Sequence, residues 1–147
     1  MKEPLSVLLV EDDQLDVKAV RRAFADVKIT NPLICLENGQ MALDYLRGLR
    51  EPNGKKSVPP VGLILLDLNM PIMGGIEFLR VYRGDSSICA PPVIVLTTSR
   101  QETEKLESYQ LGIAGFIVKP VDFPKFVEAV KRMDLYWSLC EFPPVGE

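Results

Sequence analysis

Histidine is absent from the 147-residue chain, and cysteine occurs only three times, at Cys35, Cys89 and Cys140. Without histidine or a close cysteine pair, a structural or catalytic zinc site has no ligand set. The odd number and wide spacing of the cysteines suit reduced thiols in a cytoplasmic protein rather than a disulfide framework. No apolar run approaches the roughly 18 residues a membrane-spanning helix needs. The N-terminal Met1-Lys2-Glu3-Pro4 lacks the apolar stretch of a signal peptide. A net charge of −3 leaves no basic footprint for nucleic acid. Internal repeats and low-complexity segments are missing as well.

What remains is a chain with 47% hydrophobic and 25% charged residues, enough for one ordinary domain with a real core. A single domain spanning 1–147 is expected, with no separate output domain, so that output runs through protein contacts. Four short apolar runs dominate: Leu5–Val10, Val61–Leu66, Val93–Leu96 and Phe116–Val118. Such runs suit strands buried on both faces, as in a parallel sheet. Strand and helix alternate. The strands fall near 5–10, 33–36, 61–66, 92–96 and 114–118. Helices fall near 14–27, 39–49, from Gly74-Gly75 to Arg83-Gly84, 100–111 and from the Asp122 cap to about 139. Val17, Val20, Phe24 and Val27 lie on one face of the first helix, and Ala42, Leu43 and Leu46 on one face of the second, which Asn38 can cap. Phe126, Val130 and Met133 form the stripe of the fifth. Residues 50–60 form a polar loop rich in breakers. Right-handed crossovers then give an α/β fold, a doubly wound five-stranded parallel sheet of order 2-1-3-4-5 with five helices.

In such sheets chemistry sits beyond the carboxyl ends of the strands. There the chain carries Glu11-Asp12-Asp13, Asp67-Leu68-Asn69-Met70-Pro71, Thr97-Thr98-Ser99 and Lys119-Pro120. Mg²⁺ takes oxygen ligands, usually one or two carboxylates. Asp12 and Asp67 can supply them, Glu11 can hold a metal-bound water, and the Asn69 carbonyl can complete the shell. Four acids at one edge would repel one another, and a divalent cation removes that repulsion. Asp67, ending the central strand, can attack phosphorus and become an acyl phosphate. Thr97 offers a hydroxyl and Lys119 an ammonium to a phosphoryl group. Each position has a plainer reading. The acid run suits a helix start, Asp67 a turn before Pro71, Thr97 a β-branched strand end, and Lys119 an exposed surface charge. Their joint occurrence in this order favours the phosphate and magnesium site.

These residues resemble the receiver domain of a two-component response regulator, a flavodoxin-like fold. The resemblance runs over about 4–138 and is carried by VLLVEDD (7–13), ILLDLNMPIMGG (64–75), VIVLTTS (93–99) and GFIVKP (115–120). It implies that Asp67 takes a phosphoryl group from a phosphohistidine on a sensor histidine kinase in a phosphorelay. It implies Mg²⁺ on Asp12, Asp67 and the Asn69 carbonyl, with Glu11 assisting, and contacts from Thr97 and Lys119 to the phosphoryl group. Phe116 matches the aromatic whose rotation, with Thr97, reports phosphorylation. Gly74 departs from the pattern, in which Asp before Gly is frequent; the metal set is unaffected. Residues 50–60, the LTTS run and the tail from Tyr136-Trp137 to Pro143-Pro144 are also similar to stand-alone receivers that serve bacterial phytochromes. The implied protein is a phosphoacceptor switch that catalyses only its own phosphorylation and dephosphorylation.

Tyr136 and Trp137 can close the core at the end of the last helix, or, with Phe142, bury area against a second chain. The second reading gives a weak homodimer. A magnesium-dependent phosphohydrolase with an Asp nucleophile is the competing function, but it needs a second acid two residues later, where Asn69 stands. A flavin-mononucleotide binder on the same fold would want Ser, Thr and Gly after the first strand, where Glu11-Asp12-Asp13 would repel a phosphate.

Overall fold

A computed structural model describes residues 6–48, 61–85, 91–97 and 112–118, together with helical positions 124, 127, 128, 131 and 132. Five strands, β1 (Ser6–Val10), β2 (Leu33–Leu36), β3 (Val61–Asp67), β4 (Val93–Thr97) and β5 (Gly115–Val118), form one parallel sheet in the order β2-β1-β3-β4-β5. Helices α1 (Gln14–Val27), α2 (Gly39–Gly48) and α3 (Gly75–Gly84) connect them. The helix expected over 100–111 and the stripe Phe126, Val130 and Met133 lie outside the described residues.

Strand alternation sorts the core into two layers. Leu8 and Val10, Ile64 and Leu66, and Val93 and Val95 face α2 and α3, where Ala42, Leu43, Leu46, Phe78, Leu79 and Tyr82 close over them. Val7 and Leu9, Leu63 and Leu65, and Ile94 and Leu96 face α1, where Val17, Val20, Ala23 and Phe24 meet them, with Ile117 and Val127 at the margin. The three inner strands are buried throughout. The expectation of burial on both faces fails at Phe116: β5 pairs only with β4 among the described strands, and Phe116 is 45% exposed. An edge strand has one neighbour fewer to cover it.

The helix starts differ in how they are closed. Asp13 Oδ1 accepts the Leu15 N–H at 2.9 Å and begins α1. Asn38 Oδ1 accepts the Met41 N–H at 2.9 Å and caps α2 as expected. Gly74 precedes α3 with no side-chain cap.

Candidate phosphoryl and metal site

Parity and register bring the acids together. Val10 pairs with Leu66, so the next residues, Glu11 and Asp67, stand level at the ends of neighbouring strands. Both continue the rows that face α1, Val7–Leu9 and Leu63–Leu65. Leu96 pairs with Asp67, placing Thr97 one residue beyond it on the next strand. Glu11, Asp67 and Thr97 are all buried, at 1%, 3% and 0% exposure, while Asp12 is exposed at the opening.

One carboxylate oxygen from each of Glu11, Asp12 and Asp67 lies within 4.8 Å of the other two. Asp13 is not part of this group. Its carboxylate is spent on the helix cap, and its N–H donates to Glu11 Oε1 at 3.2 Å. The division between Asp12 as ligand and Asp13 as cap therefore has a geometric basis. Asp67 Oδ1 is a buried atom that receives no hydrogen bond among the described residues, although the residue takes part in other polar interactions. Three hard oxygen donors, two of them buried, fit a small divalent cation such as Mg²⁺ or Mn²⁺. Burying this much negative charge without a cation would be costly.

The β3–α3 loop is held by close contacts rather than by side-chain caps. Gly75 N–H donates to the Leu68 carbonyl at 3.1 Å, and Gly39 N–H, from α2, donates to the Met73 carbonyl at 3.0 Å. A Cβ on Gly75 would lie 2.6 Å from the Asp67 carbonyl oxygen and 2.8 Å from Leu68 Cα. Glycine at 75 thus sets how closely the loop returns to the end of β3. Sequence reading took Gly74-Gly75 only as a helix start and missed this. Asn69 is exposed two residues after Asp67, and Phe116 is half exposed on β5. Lys119, Pro120, Ser99, Tyr136 and Trp137 lie outside the described residues. A residue the sequence did not single out is Ile72, exposed at 83% with φ of 67°.

Among titrating groups, burial pushes the Cys35 thiol above its usual range, with Arg21 acting in the opposite direction through its charge and its hydrogen bond to the sulfur. That agrees with an inert thiol. Among the described residues, no helix is long and apolar enough to cross a membrane.

A model of the response regulator receiver domain matches residues 7–131. The probable methanogenesis regulatory protein FilR2 of Methanothrix harundinacea is 34% identical over 136 residues, covering 92% of this chain and 85% of that relative. The structure of the bacteriophytochrome response regulator RtBRR has a TM-score of 0.74 at 33% identity, covering all of this chain (100%) and 84% of the other. The manganese-bound form of response regulator Rcp1 has a TM-score of 0.76 at 30% identity, covering 97% of this chain and 100% of the other.

Proposed function

The chain belongs to the response regulator receiver domain family of two-component signalling, and on that premise we propose that it is a phosphorylation switch with Asp67 as phosphoacceptor. The observation that carries this reading is the convergence of Glu11, Asp12 and Asp67 within 4.8 Å at the sheet edge.

An Asp67 carboxylate oxygen attacks the phosphorus of a phosphohistidine on a sensor histidine kinase. The P–N bond breaks, the imidazole leaves and later takes up a proton, and Asp67 becomes a mixed anhydride. Asp12, Asp67 and the Asn69 carbonyl would hold Mg²⁺, with Glu11 assisting through a water; when bound, the cation would neutralise charge on the transferring group. Thr97 and Lys119 contact the phosphoryl oxygens. The manganese-bound form of the relative Rcp1 supports a divalent cation as the ligand of this acidic group. The name of RtBRR supports a phytochrome as the kinase.

Output follows from the switch pair. The buried Thr97 hydroxyl moves toward the phosphoryl group, and the half-exposed Phe116 turns inward to take its space. The outward setting of Phe116 suits the unphosphorylated state. The changed face extends to Tyr136 and Trp137, where a weak homodimer and the signalling contact form. The protein works in the cytoplasm and signals through protein contacts.

The test is label transfer from an autophosphorylated histidine kinase to wild type and Asp67→Asn. Wild type should take up label and the variant none; equal labelling of both would overturn the assignment.

A further inference from the structure

Ile72 occupies a backbone conformation its side chain opposes. Its φ is 67°, and the Met73 N–H donates to the Pro71 carbonyl at 2.7 Å. That closes a three-residue γ-turn with Ile72 at its centre. Positive φ is a genuine outlier for a β-branched residue and easy for glycine. Glycine stands two positions later, at Gly74, whose φ of −75° any residue can adopt. Nor is the strain repaid by packing, because the Ile72 side chain is 83% exposed. The loop thus holds an apolar side chain out in water at a backbone cost.

Its position gives that cost a meaning. Asp67 is 3% exposed, so a phosphoryl group carried on another protein reaches it only past the loops that wall the site. Among the described residues these are β1–α1 and β3–α3, which supply Asp12 and Asn69. The two most exposed large hydrophobics among the described residues stand beside them: Ile72 in the second loop and Leu15, at 75%, in the first turn of α1. A small phosphodonor has no use for an apolar side chain at the rim. A protein donor, whose surface must cover the rim to deliver its phosphate, does.

We propose that Ile72 is a specificity-determining contact for the phosphohistidine-bearing protein that phosphorylates Asp67, held out by the γ-turn to meet an apolar patch beside the donor histidine. This rests on Asp67 being the phosphoacceptor for a kinase of the bacteriophytochrome type. Ile72 touches the donor's surface and takes no part in the chemistry.

The experiment compares two donors, acetyl phosphate with Mg²⁺ and the autophosphorylated kinase region of a bacteriophytochrome. The proteins are wild type, Ile72→Asn and Ile72→Val. From the kinase, Ile72→Asn should be phosphorylated about tenfold or more slowly, equivalent to about 1.4 kcal/mol. Ile72→Val should stay near wild type, and all three should be equal with acetyl phosphate. Thermal melting should place Ile72→Asn no lower than wild type, since asparagine tolerates positive φ. Equal kinase rates for wild type and Ile72→Asn, an equal slowing with both donors, or no transfer from the kinase to wild type would each overturn the proposal. Failure of the underlying reading is distinct: wild type would then take no phosphate from acetyl phosphate, or Asp67→Asn would take as much.

Discussion

Two loops that wall the acidic site among the described residues are built in opposite ways. The β1–α1 turn is three residues long and closed by its own side chains: Asp13 Oδ1 takes the Leu15 N–H, and Glu11 Oε1 takes the Asp13 N–H. The β3–α3 loop runs from Leu68 to Gly74, has no side-chain cap on its helix, and depends on glycine contacts with distant backbone and on a strained Ile72. One loop is determined by neighbours in sequence, the other by neighbours in space. Both carry residues proposed as ligands of the same site, so precision there does not require one kind of construction.

The contrast can be broken most sharply at Gly75. A Cβ there would press on the Asp67 carbonyl oxygen at 2.6 Å, and backbone cannot swing aside as a side-chain tip can. Gly75→Ala should cost about 2–3 kcal/mol, in the upper range for overpacking, and should reduce phosphorylation of Asp67 as well. Chemical denaturation and acetyl phosphate labelling measure the two effects. An unchanged midpoint would show that the loop is looser than its contacts imply.

The β1–α1 turn should separate cleanly into two functions. Asp13→Ala removes a cap and should cost about 1 kcal/mol of stability, leaving divalent-cation binding in place. Asp12→Ala should do the reverse, abolishing cation binding at little cost in stability. Calorimetric titration with Mg²⁺ beside thermal melts distinguishes them. Loss of binding in Asp13→Ala alone would move the ligand by one residue.

Two smaller effects test whether strain and unsatisfied groups away from the site are tolerated for stability or for function. Tyr45, on α2, has a buried hydroxyl with no hydrogen-bond partner among the described residues, and burial raises its pKa above the ordinary tyrosine value. A raised folded-state pKa means that the associated stability is fully present below the usual tyrosine range. It is lost as pH climbs through the folded value. Tyr45→Phe should therefore gain up to about 1 kcal/mol near neutrality and flatten the alkaline loss seen in pH-dependent melts. Lys28, at φ of 64°, ends α1 with its N–H shared by the Ala25 and Phe24 carbonyls. Lys28→Gly should gain about 0.5 kcal/mol by easing that conformation. Its strain serves only a helix end, so phosphorylation should be untouched, unlike the kinase-specific effect expected at Ile72.

The same contrast explains what was legible in the sequence. Parallel strands announce themselves as apolar runs, and their ends locate the acids, so strand order, α1 and the Glu11–Asp12–Asp67 group could be read without coordinates. The helix start at the acid run was equally readable, and the structure narrows it to Asp13 as the cap. The exposure of Phe116 was within reach yet overlooked: Phe116-Ile117-Val118 is as apolar as a central run, but the expected order 2-1-3-4-5 already put this strand at the edge. Gly75 and Ile72 were hidden for a different reason. Close approach to Asp67, and a positive φ at a residue that resists it, are properties of the folded loop and leave no mark in composition or period.

Intact-protein mass spectrometry after incubation with acetyl phosphate tests the central assignment most directly, on wild type and Asp67→Asn, each with Mg²⁺ or with a chelator. Wild type with Mg²⁺ is expected to gain a single phosphoryl group, and the other three samples essentially none. A phosphoryl group on Asp67→Asn equal to that on wild type, or labelling of wild type that persists undiminished in chelator, would contradict an Asp67 phosphoacceptor served by a cation on Asp12 and Asp67.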